Sequence, residues 1–339
     1  MITREIKIGN LTLGGENPVR VQGMLKGNLN NHRDLFKEGQ KMVNSGADLI
    51  RCAIPKGGLA GSVYRNLKKL GVPLIADCHF RAGLGKEALE SGFEKIRVNP
   101  GNTSKEGILE IVQMAHQKKK ALRLGFNTGS CSASTGVDLA QLALEWDKEV
   151  SETGFRNYLV SLKSSSVKET IEANRYFSVY SDTPLHVGVT ATGMKELGMI
   201  KSSMGIGALL NDGIGDTVRV SITGSSIKEV KTGIILKELA NDKLKRLEII
   251  SCPACSRAHA DVAEMVEKFS KKLSQEDFKR EYKIAIMGCE VNGPGEAKEA
   301  DFGICYTRKG SLLISRGNIK EKLESGKELS KLVKLLHKS

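Results

Sequence analysis

From residue 19 to residue 224 one pattern repeats: a short apolar run, a Gly/Asn/Asp/Ser break, then an amphipathic stretch of helical period. The runs are Val19–Met24, Asp48–Pro55, Pro73–Phe80, Lys95–Gly101, Ala121–Gly129, Asn157–Ser165, Pro184–Gly193 and Thr217–Gly224, with starts 22 to 36 residues apart. That spacing is the length of a strand plus a crossover helix. In Ser104–Lys118, for example, Ile108, Ile111, Val112 and Ala115 recur at i, i+3, i+4 and i+7, the period of one helix face. Ser226 and Glu229 have the spacing of a capping box for the eighth helix. Eight such units in a row predict an N-terminal (β/α)8 TIM barrel, with its site at the C-terminal ends of the strands. The rival is a doubly wound open sheet. Gly205-Ile-Gly207-Ala-Leu-Leu210 lacks the third glycine of a dinucleotide fingerprint, and no Walker loop is present.

After the eighth helix, a polar stretch at Asn241–Arg246 leads into a second region, giving expected domains at 1–243 and 244–339. It opens with an expected strand, Leu247–Ile250, that runs directly into Cys252. The Lys/Glu-rich segment Lys320–Leu336 is expected as a solvated surface helix. Met1–Asn10 carries no apolar core of signal-peptide length, and no run approaches the ~18 apolar residues of a membrane span. The seven cysteines are not spaced like a secreted disulfide framework. A cytoplasmic chain with reduced thiols is expected.

Alternate side chains of a strand share a face, so chemistry at the barrel mouth can be read by parity. Asp77 pairs in this sense with His79, Arg97 with Asn99, Ser161 with Lys163 and Arg219 with Ser221. Arg51, Arg123, Asn127, His186 and Thr190 fall at the same level of their strands, whereas Cys52 and Cys78 have the opposite parity and should face the helices. Five cations, Arg51, Arg97, Arg123, Lys163 and Arg219, are thereby aimed at one mouth. Left alone they repel one another, and a phosphorylated anion resolves the repulsion because guanidinium forks match phosphate oxygens. The alternative is that some pair with Asp77, Asp216 or Glu94 as structural ion pairs. The net charge of +13 likewise favours an acidic partner. Nine Phe, six Tyr and one Trp are too few for a stacking platform on single-stranded nucleic acid.

Cys252-Pro-Ala-Cys255 has C-x-x-C spacing, and a third cysteine stands in Met287-Gly-Cys289-Glu-Val-Asn-Gly-Pro-Gly-Glu296. Thiolates in this pattern suit zinc or an iron–sulfur cluster, and a lone C-x-x-C also suits a redox dithiol. The distant third cysteine favours a metal site, and the lack of a second C-x-x-C argues against a zinc ribbon. Spacing leaves the fourth ligand open between Cys305 and Glu296, with thiolate chemistry leaning to Cys305.

Together these motifs resemble the 4-hydroxy-3-methylbut-2-enyl diphosphate synthase family, iron–sulfur enzymes of non-mevalonate isoprenoid synthesis. The matching segments are Asp77-Cys-His-Phe80, Arg97-Val-Asn-Pro-Gly-Asn102, Val160-Ser-Leu-Lys163, Pro184 to Thr190, Lys201-Ser202, Asp212 to Ser221, Cys252 to Arg257 and Gly288 to Glu296. The resemblance implies a TIM barrel followed by an α/β iron–sulfur domain related to sulfite and nitrite reductase modules. It implies a [4Fe–4S] cluster on Cys252, Cys255, Cys289 and Glu296, overruling Cys305. The implied reaction is the two-electron reductive ring opening and dehydration of 2-C-methyl-D-erythritol 2,4-cyclodiphosphate to 4-hydroxy-3-methylbut-2-enyl diphosphate. Arg51, Arg97, Arg123, Lys163 and Ser221 would hold the diphosphate. Asp77, His79, Asn99, Asn127 and Thr190 would line the cavity near the reacting carbons, with His79, Thr190 and Glu296 taking part in the chemistry. A homodimer and an acidic electron donor, flavodoxin or ferredoxin, are implied as well. No nucleic-acid or membrane partner is expected.

Two segments depart from the family pattern. Val21-Gln-Gly-Met-Leu-Lys-Gly27 lacks the usual Ser and Thr, and Thr190-Ala191-Thr192-Gly193 stands where the family has Thr-Glu-Ala-Gly. The missing glutamate is a proton-carrier candidate, so a paralogue that keeps the cluster with lost or altered activity is the first alternative. A zinc-containing nucleic-acid-binding protein is the second.

Overall fold

Every apolar run picked out above contains a strand in the structure, a computed structural model that describes residues 2–54, 59–78, 82–190, 192–241, 247–273, 281–291 and 293–338. The chain divides into two compact units, Met1–Asn241 and Asp242–Ser339.

The first unit begins with a hairpin that composition did not announce, β1 (Ile6–Ile8) and β2 (Leu11–Leu13), paired antiparallel. The barrel strands follow: β3 (Arg20–Met24), β4 (Leu49–Ala53), β5 (Leu74–Asp77), β6 (Lys95–Val98), β7 (Ala121–Asn127), β8 (Tyr158–Lys163), β9 (His186–Val187) and β10 (Thr217–Val218). They alternate with α1 (His32–Asn44), α2 (Ala60–Leu67), α3 (Ala82–Ser91), α4 (Lys105–Gln117), α5 (Gly136–Glu152), α6 (Val167–Tyr180), α7 (Lys195–Asn211) and α8 (Ser226–Ala240). The spatial order is β8-β7-β6-β5-β4-β3-β10-β9, and a parallel bridge between Val160 and Leu185 joins the two ends. This is the (β/α)8 barrel rather than the open sheet. The last two strands are much shorter than their apolar runs.

Burial follows the predicted parity. Ile50, Cys52, Ala76, Ile96, Leu122 and Val160 point outward into the layer between strands and helices, with Ile108, Ile111, Val112 and Ala115 of α4 packed in the same core. Burial there pushes the Cys52 thiol up to about 12, as befits a small core residue. Inward, Leu49, Ile75, Ala121 and Leu159 form an apolar floor, and Ile6, Ile8 and Leu13 of the hairpin plug it from below. The capping of α8 differs from expectation: Ser225, not Ser226, accepts the Lys228 N–H, while Ser226 donates to Glu38 (2.7 Å). Glu229 is released from any capping role and turns inward.

The second unit is a sheet in the order β11 (Leu247–Ser251), β12 (Tyr282–Met287), β13 (Phe302–Thr307), β14 (Gly310–Ser315) and β15 (Asn318–Leu323). The first three strands are parallel, and β14 and β15 fold back antiparallel. Helices α9 (Val262–Leu273) and α11 (Glu328–Lys338) cover it, and the one-turn α10 (Gly293–Glu296) follows β12. The Lys320–Leu336 expectation is corrected here. Its first part is the exposed edge strand β15, where alternating lysines discourage edge pairing, and its helix buries Leu332 and Leu336 in the core.

The plug is expected to be part of the cooperative barrel. Ile8→Ala leaves a cavity against the floor, and such losses run to roughly 2–5 kcal/mol. The midpoint of urea unfolding, followed on the barrel, should fall accordingly; an unchanged midpoint would show the hairpin to be a mere appendage.

Candidate functional site: a cation-lined barrel and a cysteine triad

Above the apolar floor the barrel interior turns basic. Arg51, Asp77, Arg97, Arg123 and Lys163 are all buried and all lie on inward positions of β4 to β8, with Arg97 and Arg123 register partners. Asp77 is shared: Arg51 forms an ion pair with one of its oxygens and Arg97 donates to the other at 3.3 Å. Arg219 lies 3.6 Å from Glu229, whose other oxygen accepts from Lys26 at 2.9 Å and from the Ile222 N–H at 2.8 Å. The remaining carboxylates named from sequence are engaged elsewhere. Asp216 accepts from Thr3 and the Leu185 N–H (2.7 Å each), and Glu94 from Tyr64 and the Leu74 N–H (3.0 and 2.8 Å). Structural pairing therefore accounts for Arg51, Arg97 and Arg219 in part. Among the described residues Arg123 and Lys163 have no carboxylate partner, and Nε and Nη1 of Arg123 have no hydrogen-bond partner at all.

Burial is the largest force on these groups, and their neighbours add to it. Desolvation, then Arg123 and Arg219, holds Lys163 well below the usual amine range. Desolvation, then Arg51 and Arg97, lowers Arg123 in the same direction. His186, deep in the barrel, is held well below its ordinary value by burial and then by Lys163 and Arg123, so its imidazole is neutral; its Nδ1 lies 2.6 Å from the Thr217 hydroxyl. Parity reading passed over one more inward cation. Lys95 shares the face of Arg97, is fully buried, and has no partner for its Nζ among the described residues.

The polar residues expected near the reacting carbons divide into groups. Asn99 is committed to its loop: it donates to Ser130 (2.9 Å) and accepts from the Gly101 N–H (2.9 Å). The Asn127 amide, oriented to satisfy both neighbours, accepts from Arg97 Nη2 (3.2 Å) and donates to the Phe126 carbonyl (3.1 Å). Thr190, half-buried, is anchored by its N–H to the Ser164 carbonyl (3.1 Å), and the Ser221 carbonyl accepts from the Thr192 hydroxyl. His79 and Ala191 lie outside the described residues. Two glycines make room for the cations. A Cβ on Gly125 would meet Arg97 Nε at 2.5 Å, and one on Gly188 would meet the Arg219 carbonyl at 2.5 Å and Lys163 Nζ at 3.0 Å.

In the second unit all of the cysteines are free thiols, Cys252 half-buried, Cys255 exposed and Cys289 buried. Ala254 adopts a left-handed φ of 61° between the two C-x-x-C thiols, closing a tight turn. The Gly288 N–H donates to Cys252 Sγ (3.2 Å), and the His259 N–H donates to the Gly288 carbonyl (2.8 Å), stitching the two cysteine loops together. His259 and Glu290 add a side-chain pair at 3.2 Å across the same junction. Glu296 ends α10 with an exposed side chain. Cys305 is different. Its thiol is buried, donates to the Cys289 carbonyl (2.8 Å), and is pushed by burial up to about 12. A Cβ on Gly293 would strike its sulfur at 2.5 Å, so α10 is packed directly on it. Among the described residues no three His, Cys, Asp or Glu side chains are drawn together around a single metal ion. The donor types fit an iron–sulfur cluster. The set has three thiols on joined loops, a backbone N–H already aimed at one sulfur, and a free carboxylate nearby in sequence, while Cys305 is withdrawn into the core.

Two family models cover this chain, the GcpE TIM-barrel domain over residues 3–234 and the GcpE protein C-terminal domain over residues 248–338. The chain belongs to the GcpE family. Among its relatives is the 4-hydroxy-3-methylbut-2-en-1-yl diphosphate synthase (flavodoxin) of Persephonella marina, 38% identical over 98% of this chain and 96% of that protein. The enzyme of the same name from Caldanaerobacter subterraneus is 38% identical over 99% and 97%. Among solved structures, Yersinia pestis dihydropteroate synthase matches with a TM-score of 0.54 at 16% identity, covering 71% of this chain and 98% of that one, a likeness of fold alone. Family membership sets aside the zinc-containing nucleic-acid-binding alternative.

Gly125→Ala is expected to push the Arg97 guanidinium off its place while leaving β7 intact, since alanine is no worse than glycine in a strand. Affinity for a phosphorylated ligand should fall by about one decade or more, the scale of one charge-assisted contact. Calorimetric titration checks this, and unchanged affinity would mean that the Arg97 guanidinium is not used.

Proposed function

We propose that this chain catalyses the reductive ring opening and dehydration of 2-C-methyl-D-erythritol 2,4-cyclodiphosphate to 4-hydroxy-3-methylbut-2-enyl diphosphate. In this reading residues 1–243 bind the substrate and residues 244–339 carry a [4Fe–4S] cluster on Cys252, Cys255, Cys289 and Glu296. A flavodoxin or ferredoxin supplies the two electrons, and the protein works as a homodimer in the cytoplasm. The observation that supports it most is the set of buried cations without carboxylate partners in the barrel, Arg123 and Lys163 foremost. Relatives that bear the synthase name over nearly the whole chain support it as well. Among the described residues no helix is long and apolar enough to cross a membrane.

The diphosphate would be held by Arg51, Arg97, Arg123, Lys163 and Ser221. Asp77 pairs with Arg51 and Arg97, so part of its role is to aim these donors. Asn127 steadies the same Arg97, and Asn99 shapes the loop above it. When bound, the cluster supplies electrons and an iron able to polarise a substrate oxygen. Loss of water also needs a proton at the departing oxygen, a task for which His79 and Thr190 are the first candidates and Glu290 the third, and for which the family glutamate is replaced by Ala191. That replacement is the one observation favouring a paralogue of altered activity. The neighbouring Thr192 hydroxyl donates to the Ser221 carbonyl.

Anaerobic incubation of the cyclodiphosphate with the protein and a photoreduced flavodoxin tests the reading; the open-chain diphosphate should appear by phosphorus NMR, and its absence with a full cluster would favour the paralogue. Cys252→Ser, Cys255→Ser and Cys289→Ser should each lose iron, while Cys305→Ser should keep it. Iron loss in Cys305→Ser with none in Glu296→Ala would make Cys305, not Glu296, the fourth ligand. A positioned acid contributes roughly 10²–10⁴-fold, so Ala191→Glu should raise the turnover rate with little change in substrate affinity. A slower variant would show that the chain has its own proton route.

A further inference from the structure

Lys95 breaks a local rule. Its strand neighbours in register are Ile75 and Ala121, both part of the apolar floor, yet it is fully buried and its Nζ has no hydrogen-bond partner among the described residues. An aliphatic residue would fill this position at no electrostatic cost. The groups that line the interior around it are Arg51 on β4, Asp77 on β5, Arg97 on β6, Arg123 on β7, Lys163 on β8, His186 on β9, Arg219 after β10 and the neutral Gln22 on β3. Two carboxylates face these groups among the described residues: Asp77 is already shared by Arg51 and Arg97, and Glu229 is taken up by Arg219, Lys26 and the Ile222 N–H. Other polar atoms here are idle too: Arg123 Nε and Nη1, His186 Nε2, and both the amide nitrogen and the amide oxygen of Gln22 lack partners among the described residues.

We propose that Lys95 is a further cation of the anion site, a buried amine kept beneath the arginine ring at the expense of the empty fold so that its charge adds to the hold on a phosphorylated ligand. The proposal rests on the diphosphate-binding reading given above. It accounts for an amine without a partner among the described residues where the fold would take a methyl group, since sites that break local rules are commonly functional. Burial, then Arg123 and Arg51, holds the amine well below its ordinary range in the empty barrel. An amine lowered in the folded state costs stability at low pH, where both states must carry the proton. The cost shrinks as pH rises above the folded value and is gone above the unfolded value of about 10.4. An entering polyanion reverses the local field and so favours the protonated amine.

The test uses the full chain and inorganic pyrophosphate. Calorimetric titrations at neutral pH in two buffers of different ionisation enthalpy give affinity and protons taken up, and thermal unfolding gives Tm, for the native protein, Lys95→Met and Lys95→Gln. The expected result is pyrophosphate binding with proton uptake by the native protein. Lys95→Met should then show a Tm equal to or above the native value, about tenfold or more weaker binding, and fewer protons taken up. Failure of the native protein to bind pyrophosphate would overturn the underlying site reading. Native binding that both variants match would overturn the role of Lys95 alone. A lowered Tm in both variants, or failure of both to fold, would make Lys95 a structural residue and overturn the proposal.

Discussion

A barrel interior filled with positive charge is the constraint around which the first unit is built. Removing a charged group from water costs several kcal/mol unless a partner compensates it. Here Asp77 and Glu229 compensate only part of the set formed by Arg51, Lys95, Arg97, Arg123, Lys163 and Arg219. The rest of the unit offsets that cost with apolar burial. The helix-facing core runs around the whole barrel, and the β1–β2 plug closes the floor against water below the charges. Glycines at 125 and 188 matter for the same reason, because any side chain there would occupy the space that the guanidinium of Arg97 and the ammonium of Lys163 need. The fold thus leaves Arg123 and Lys163 without carboxylate partners among the described residues, a preorganised arrangement for an anion.

Much of this was legible because strand parity is a hard geometric rule. Arg51, Arg97, Arg123 and Lys163 face inward as alternation requires, and Cys52 faces outward by the same rule. What parity cannot supply is pairing. That Asp77 serves two arginines, or that Glu229 leaves the α8 cap to meet Lys26 and Arg219, depends on side chains far apart in sequence. The hairpin plug escaped notice because three-residue strands in a polar segment carry no periodic signal. Lys95 escaped because the apolar look of its strand start hid an inward cation. Composition does not separate the two parts of the C-terminal segment, because a Lys-rich edge strand and a Lys-rich helix surface look alike in sequence.

The second unit shows where spacing runs out and packing decides. Four cysteines and one glutamate are all available by sequence, and thiolate chemistry alone leans to Cys305. Packing argues the other way: Cys305 is buried against Gly293 and spends its thiol on the Cys289 carbonyl. It then supports the backbone of the Cys289 loop. The His259–Glu290 pair and the Gly288 N–H on Cys252 tie the two loops in the same way, so the triad is held by second contacts before any cluster is considered.

The central claim is that the uncompensated cations exist to hold a diphosphate. A crystal structure of the protein soaked with the cyclodiphosphate tests it most directly. Phosphate oxygens should lie within hydrogen-bond distance of the Arg123 guanidinium and the Lys163 ammonium, with Asp77 still joined to Arg51 and Arg97. A substrate bound elsewhere, with ordered water or chloride alone on Arg123 and Lys163, would contradict the account.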